Sequence, residues 1–251
     1  MSAAPTRRSS PLREVSPELA HCSTERRFEL LGQAQFFSHL SEAELTEVNG
    51  RFQEVHYGAG DWIWHPGDEA REMFIVAAGQ VKLLQHGADG KDVLFSFAGT
   101  GDLIGGLAAV GDTSHLNGAQ AHTECCLLRI MQPDFQELLQ QQPGIALKVL
   151  EFAAEQLEQA RATIHGLSTS TAEQRIARAL LRLLEKHGEE HEDGQLIQLP
   201  LPQQDLAAMT GTTVETVSRV LSQFRQNGLV TSGRRWIAVT DQAGLEALAG
   251  H

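Results

Sequence analysis

The 251-residue sequence contains few cysteines and no long apolar segment. Its three cysteines, Cys22, Cys125 and Cys126, are too few for a disulfide framework and suit a reducing compartment. A membrane-spanning helix needs about 20 consecutive apolar residues, which no part of the chain approaches. The N-terminal segment also lacks the apolar centre of a secretion signal. These absences predict a cytoplasmic protein that does not enter a membrane.

Positive charge is scarce as well, since 20 Lys and Arg stand against 32 Asp and Glu, for a net charge of −12. Proteins that bind nucleic acid usually carry the opposite sign. The acidic excess is uneven, however, because residues 195–235 contain four arginines and only two acidic residues. With 41% hydrophobic residues, the chain can form two domains with their own cores. No nucleophile–base pair or catalytic carboxylate pair stands out, so we do not expect an enzyme.

The first half of the chain predicts a tail followed by a β-rich domain. Residues 1–27 are rich in serine, proline and arginine, which is typical of a flexible tail. Within residues 28–142, short β-type runs alternate with glycines at a spacing of about ten residues. This pattern predicts an antiparallel barrel or sandwich, with a hairpin turn at residues 88–90.

Residues 143–167 predict a long helix with an apolar seam. The seam positions recur every three or four residues, as in helices that pack against a partner helix. We interpret this segment as a dimerisation helix, although it could instead pack only on its own β domain. Residues 168–171, Ser-Thr-Ser-Thr, form a predicted hinge, and Ser170 with Glu173 is expected to cap the next helix. The six seam residues are Leu147, Leu150, Ala154, Leu157, Arg161 and Ile164.

Residues 172–251 predict a helix at residues 172–187, an acidic loop at residues 189–193, a short strand at residues 196–199 and then two short helices. The first of these two begins at Gln203, Gly211 supplies a tight turn, and the second begins near Thr213. The following two strands form a predicted wing whose tip places Arg234 and Arg235 against phosphates. One face of the second helix is apolar, and the other carries Glu215, Ser218, Arg219 and Ser222. Such a face can read base edges in the major groove, although any surface helix has a polar side.

This order of domains resembles the CRP/FNR family of bacterial transcription regulators, from about residue 30 onward. The most specific motifs are residues 60–68, 76–81, 101–105, 172–177 and 211–219. Each motif is weak alone, but together they occur in the order that the family shows. The resemblance implies an α+β fold: an antiparallel β-roll sensor domain like cyclic-nucleotide-binding and cupin domains, a dimerisation helix and a winged helix-turn-helix domain at residues 172–251. It also implies a homodimer that binds double-stranded DNA and activates transcription with RNA polymerase.

The second helix is similar to that of FNR-type proteins. Glu215, Ser218 and Arg219 match the FNR pattern, and Val214 stands where CRP-type proteins carry an arginine. The resemblance implies a TTGAT…ATCAA-like palindrome, in which Arg219 bonds guanine, Glu215 the opposite cytosine or adenine amino group, and Ser218 a thymine. The predicted DNA-binding residues are Gln203, Thr213, Val214, Glu215, Ser218, Arg219, Arg234 and Arg235.

The signal that acts on the sensor domain stays open. CRP-type pockets hold cyclic AMP with a glutamate and an arginine, and the matching residues 105–108 and 114–119 contain neither. A buried phosphate would lose a charge-assisted contact without the arginine, so cyclic AMP is not expected. The remaining candidates are haem, a small organic effector or no effector. The candidate effector-pocket residues are Gly105, Gly106, Leu107, His115 and Asn117.

The cysteines and histidines predict no metal site. An iron–sulfur cluster takes four thiolates, and Cys22 is the only cysteine near the N-terminus, so a cluster is not expected. Cys125 and Cys126 are adjacent on a predicted strand and therefore point to opposite faces. Each is either a small buried residue or a redox-active thiol. The 11 histidines form no known ligand motif, although haem remains an alternative. A rival for the whole chain is a cyclic-nucleotide-binding module that acts on a protein partner.

Overall fold

The computed structural model describes residues 11–12, 24–87, 92–105, 114–192 and 194–250. The chain divides into two compact units, one of residues 15–164 and one of residues 1–14 with 165–251. The predicted turn at residues 88–90 lies outside the described residues, as do Cys22, Gly106 and Leu107. In the described part of the chain, no helix is both long and apolar enough to cross a bilayer.

The first unit combines short helices with two antiparallel sheets. The strand orders are β1-β8-β3-β6 and β2-β7-β4-β5. The sequence does not predict strand β7, because its residues Gly-Ala-Gln-Ala include no β-branched or aromatic side chain. The elements are α1 (Thr24–Gln33), α2 (Glu42–Arg51), β1 (Gln53–Tyr57), β2 (Trp62–Trp64), β3 (Glu72–Ala78), β4 (Val81–His86), β5 (Asp92–Ala98), β6 (Leu103–Ile104), β7 (Gly118–Ala121), β8 (Cys125–Met131) and α3 (Gln132–Gln141).

Two hydrophobic clusters cover the two faces of the β1-β8-β3 strands. Alternate residues such as Phe74 and Val76 pack toward the other sheet, whereas Met73 and Ile75 pack toward the helices. The helix-side cluster includes Ile145, Val149 and the partly buried Phe152, at the start of the next helix. The prediction for the cysteines is confirmed, since Cys125 belongs to the inter-sheet cluster and Cys126 to the helix-side cluster.

The predicted tail at residues 1–27 is wrong for its described parts. Helix α1 begins at Thr24, and the guanidinium of Arg27 donates hydrogen bonds to the carbonyls of Asn49 and Phe52, at 3.1 and 2.7 Å. Leu12 packs against the cluster of Leu196, Trp236 and Ala238 in the second unit. Average composition hides such anchors, because a single arginine or leucine can fix a polar segment.

The long helix α4 spans Pro143–Thr169, so it includes the first two residues of the predicted hinge. Within this helix, the Thr169 hydroxyl donates to the His165 carbonyl at 2.8 Å. Helix α5 spans Ala172–His187 and is capped by a reciprocal pair of Thr171 and Gln174, not by Ser170 and Glu173. The pattern Ser/Thr-x-x-Glu/Gln fits both registers, and a helix can have only one N-cap. The connection between the helices therefore consists of residues 170–171.

The second unit packs its helices on one four-stranded antiparallel sheet, in the order β11-β12-β10-β9. The predicted acidic loop is partly wrong, because Glu189 and Glu190 lie in the edge strand β9, where charged side chains are common. The predicted strand at residues 196–199 begins and ends two residues earlier. The elements are β9 (Gly188–His191), β10 (Gly194–Ile197), α6 (Gln203–Thr210), α7 (Val214–Gln226), β11 (Val230–Gly233), β12 (Trp236–Val239) and α8 (Gln242–Ala249).

Candidate nucleic-acid interface

Helices α6 and α7 are joined by a turn that only glycine can form easily. Gly211 has φ 59° and ψ 44°, a left-handed conformation, and its N–H bonds to the Ala207 carbonyl. A Cβ atom at this position would also lie 3.0 Å from Cδ2 of Leu167. The hydroxyl of Thr213 then accepts the N–H of Thr216 at 3.2 Å and caps α7. These local bonds set the angle between the two helices.

Helix α7 buries one face and exposes the other, as the sequence predicts. Glu215, Ser218 and Arg219 are exposed on the face opposite the buried one. The apolar residues are at most 2% exposed, namely Val217, Val220, Leu221 and Phe224. The α7 face, defined here as Glu215, Ser218 and Arg219, therefore places a carboxylate, a hydroxyl and a guanidinium side by side, the groups that read base edges.

Two details of α7 refine the predicted polar face. Ser222 is half-buried, its hydroxyl donates to the Ser218 carbonyl at 2.8 Å, and Arg225 donates to it at 2.9 Å. Its hydrogen bonds within the helix leave it less suited to base contact than Ser218. A hydrogen bond from its own backbone N–H, and a second with the Thr213 side chain, lower the pKa of the Glu215 carboxyl. Glu215 is therefore an ionised acceptor at neutral pH, as binding an exocyclic amino group requires.

The remaining predicted contact residues surround α7. Val214 and Gln203 are exposed at the first positions of α7 and α6. Arg234 and Arg235 form the exposed turn between β11 and β12. Arg235 has φ 66°, and its carbonyl accepts the N–H of Leu201 at 2.8 Å. This bond fixes the tip of the wing to the segment that leads into α6.

The predicted seam of α4 lies on its open side. Leu147, Leu150, Leu157 and Ile164 are 53% to 66% exposed, although apolar side chains of this size are usually buried. Ala154 and Arg161 are exposed as well, and Arg161 forms an ion pair with Glu158 at 2.9 Å. The opposite side of the same helix contributes to the helix-side cluster. Packing on its own β domain therefore leaves the seam uncovered in the described part of the chain.

The described members of the candidate effector pocket are Gly105, His115 and Asn117. The His115 ring stacks on Trp64 at a centroid distance of 4.3 Å, and the Trp64 indole donates to the Asn117 carbonyl at 2.8 Å. Burial lowers the pKa of His115, against a smaller opposite effect of Asp68, so the ring is neutral at neutral pH. A Cβ atom at Gly105 would lie 3.6 Å from this ring. The structure thus brings Gly105, His115 and Asn117 together around Trp64.

Comparisons with known proteins agree with this architecture. A model described as a Crp-like helix-turn-helix domain matches residues 174–248, and one described as a cyclic nucleotide-binding domain matches residues 54–142. The chain is 30% identical over 213 residues to the "Cyclic AMP receptor protein" of Thermus thermophilus, covering 85% of this chain and 95% of that protein. The chain belongs to the CRP/FNR family. It is therefore a DNA-binding transcription regulator with an effector-binding domain.

Other proteins similar to this chain show the same relation. The "Nitrogen fixation regulation protein FixK" of Bradyrhizobium diazoefficiens is 28% identical over 216 residues, covering 84% of this chain and 88% of that protein. The solved structure of FixK2 from Bradyrhizobium japonicum shares the fold, with a TM-score of 0.70 at 24% identity over 78% of this chain and 96% of that one. Because these relatives are regulators, the rival of a module that acts only on a protein partner is not favoured.

Two arginines of this CRP/FNR-family chain tie the residues after α4 to the C-terminal unit, and Arg175 contacts the helix-turn-helix itself, roles that the sequence did not reveal. Arg175 donates from Nε to the Thr210 carbonyl and from Nη1 to the Ser170 carbonyl, both at 2.8 Å. Arg178 donates to the Ser170 hydroxyl at 2.7 Å and to the Ala249 carbonyl at 2.8 Å. Both arginines therefore link the connection after α4 to the DNA-binding unit. Their spacing of three on α5, which places them on one face, was the available signal.

Proposed function

We propose that this regulator binds DNA as a homodimer and reads a TTGAT…ATCAA-like palindrome with the α7 face of each copy. The exposure of Glu215, Ser218 and Arg219 beside the capped start of α7 carries the proposal, because those positions lie at the end of a recognition helix that contacts bases. Arg219 would bond guanine, Glu215 the opposite cytosine or adenine amino group, and Ser218 a thymine. RNA polymerase is the expected partner at activated promoters.

The dimer would form through the open seam of α4. Recognition helices of a two-fold dimer must lie about one DNA turn apart, so the association of two copies supplies the second recognition helix, which reads the second half-site. Two copies of the seam from Leu147 to Ile164 can cover each other's exposed apolar side chains. The wing residues Arg234 and Arg235 and the exposed Gln203 would add phosphate contacts, which fix the position on DNA without selecting sequence.

The test of base reading is Arg219→Ala with Arg225→Ala as a matched control. Both arginines are exposed on α7, but Arg225 lies six residues closer to the C-terminal end of the helix, where its guanidinium donates to the Ser222 hydroxyl. We expect Arg219→Ala to weaken binding by about 1–3 kcal/mol and to relax the preference for guanine at one position of each half-site. Arg225→Ala should keep that preference. Gel shifts on the palindrome and on single-base variants measure both effects, and an unchanged guanine preference in Arg219→Ala would refute the assigned role.

We further propose that cyclic AMP is not the signal that controls the β-roll domain. The pocket segment at residues 114–119 contains no arginine, and His115 stacks on Trp64, whose indole N–H donates to the Asn117 backbone carbonyl. Haem, a small organic effector and control without an effector remain candidates, whereas an iron–sulfur cluster is not expected. Calorimetry with cyclic AMP tests whether this nucleotide is the signal, and cyclic AMP binding that alters DNA affinity would overturn the proposal. The absorption spectrum of protein purified without air tests for haem and for an iron–sulfur cluster, since a Soret band indicates haem and a broad brown absorbance indicates a cluster.

A further inference from the structure

A glutamate, a histidine and a cysteine meet on the helix-facing side of strands β1 and β8. His56 and Cys126 are direct partners in the antiparallel register, and Glu54 lies two residues before His56, on the same face. The Glu54 carboxylate, the His56 ring and the Cys126 thiol each offer one ligand atom, and these atoms all lie within 4.8 Å of one another. Among the residues that the structure describes, this is the one place where three such groups converge.

The distances approach those of a tetrahedral metal site. Zinc bonds of roughly 2.0–2.3 Å place neighbouring ligand atoms about 3.3–3.8 Å apart. The His56 Nε2 atom already lies 2.8 Å from a Glu54 carboxylate oxygen. Side-chain movements of about 1 Å would therefore close the three ligand atoms around a cation, with no change in the pairing of the strands.

The burial of the three groups suits an open site at the domain surface. Cys126 is only 1% exposed, whereas the side chains of Glu54 and His56 are 21% and 42% exposed. A cation from solvent can thus reach the exposed carboxylate and imidazole first and then bind the buried thiol. A thiolate, an imidazole and a carboxylate together favour a borderline-soft cation such as Zn²⁺ over Mg²⁺ or Ca²⁺, which prefer oxygen ligands.

We propose that Glu54, His56 and Cys126 bind one thiophilic divalent cation of the Zn²⁺ class, with water at the fourth position. When the cation binds, the Cys126 thiol loses its proton to solvent, and neither the sulfur nor the metal changes oxidation state. The ordinary explanation is a surface glutamate–histidine hydrogen bond above an unrelated core cysteine. The two explanations differ in whether the thiol takes part.

The neighbouring Cys125 provides a matched control. It is buried like Cys126, but it faces the inter-sheet cluster and its thiol donates to the Gln80 carbonyl at 3.2 Å. The replacements Cys125→Ala and Cys126→Ala remove the same atoms from adjacent positions, and only the second removes a proposed ligand.

The position of the site also indicates how a cation would influence the regulator, a point that rests on the proposed function. Cys126 belongs to the same helix-side cluster as Ile145 and Val149, which anchor the first turns of α4. A bond from the metal to Cys126 would therefore act on the core that holds this helix. Because α4 is the proposed dimerisation helix, cation binding is expected to change DNA affinity.

Cobalt provides the direct test, since Co²⁺ replaces Zn²⁺ in such sites and a cobalt–thiolate bond gives a charge-transfer band. The full-length protein should bind one Co²⁺ per chain with this band, and Zn²⁺ should displace it. Cys125→Ala should retain the band and Cys126→Ala should lose it. His56→Gln and Glu54→Gln should each weaken binding at least about tenfold, whereas His65→Gln, at an exposed histidine stacked on Trp62, should not.

Several outcomes would overturn the site: no thiolate band in the full-length protein, a band that survives Cys126→Ala, or a band lost in Cys125→Ala. Circular dichroism shows whether Cys126→Ala folds. If it does not fold, His56→Gln and Glu54→Gln decide the question, and unchanged cobalt affinity in both variants would refute the site. DNA binding is measured separately with and without Zn²⁺. If the protein shows the cobalt–thiolate band but its specific DNA affinity does not change with Zn²⁺, only the proposed effect of the cation through α4 is overturned. Loss of all specific DNA binding would overturn the proposed function instead.

Discussion

The open seam of α4 allows a quantitative prediction for Leu150→Ala. Leu150 is 66% exposed in a single chain. Complete burial of a leucine side chain contributes about 1.5–3 kcal/mol, so covering the exposed part contributes about 1–2 kcal/mol for each copy. A two-fold dimer contains two copies of Leu150. The substitution should therefore destabilise the dimer by about 2–4 kcal/mol and raise its dissociation constant roughly 30- to 700-fold.

The assay is the dimer dissociation constant from sedimentation equilibrium, with DNA affinity as a second readout. Gln159→Ala serves as the matched control, because Gln159 is exposed on the same helix but lies on the side away from the seam. Circular dichroism should show unchanged helix content in both variants, since alanine favours helix. A dissociation constant for Leu150→Ala within about twofold of that of Gln159→Ala would refute dimerisation through this seam.

Two further predictions concern stability and are measured by urea unfolding. Gly79→Ala should destabilise the chain by more than about 3 kcal/mol, because its φ is 85° and a Cβ atom would collide with the backbone carbonyl of Glu124; Gly60→Ala, with φ 93° and open space, should cost only about 1–2 kcal/mol. Equal losses would contradict the close approach at Gly79. Thr171→Ala should cost about 1 kcal/mol through loss of the α5 cap, whereas Thr171→Ser should be nearly neutral. If Thr171→Ala left the free energy of unfolding unchanged, the N-cap of α5 would be Ser170 instead.

Secondary structure with strong local signals was predictable from the sequence. Helix α5 has the predicted bounds, since its apolar spacing is regular and Gly188 follows its last residue. The turn at Gly211 was predictable because the left-handed conformation favours glycine. Elements without a local signal were missed or shifted. Strand β7 has no β-type composition, and the edge strand β9 contains two glutamates, so only pairing with neighbouring strands makes them strands.

The sequence alone determined the order of the domains and the polar face of α7, because periodicity along one helix is a local property. Glu215, Ser218 and Arg219 share a face whatever surrounds them. Only the tertiary structure decided which distant groups meet. Arg175 contacts the carbonyl of Thr210, 35 residues away, and Cys126 lies opposite His56. Such contacts depend on strand register and on the packing of elements far apart in the chain, which no spacing in the sequence encodes. The metal ligands proposed at Glu54, His56 and Cys126 were hidden for that reason, and the expectation of no metal site relied on local spacing alone.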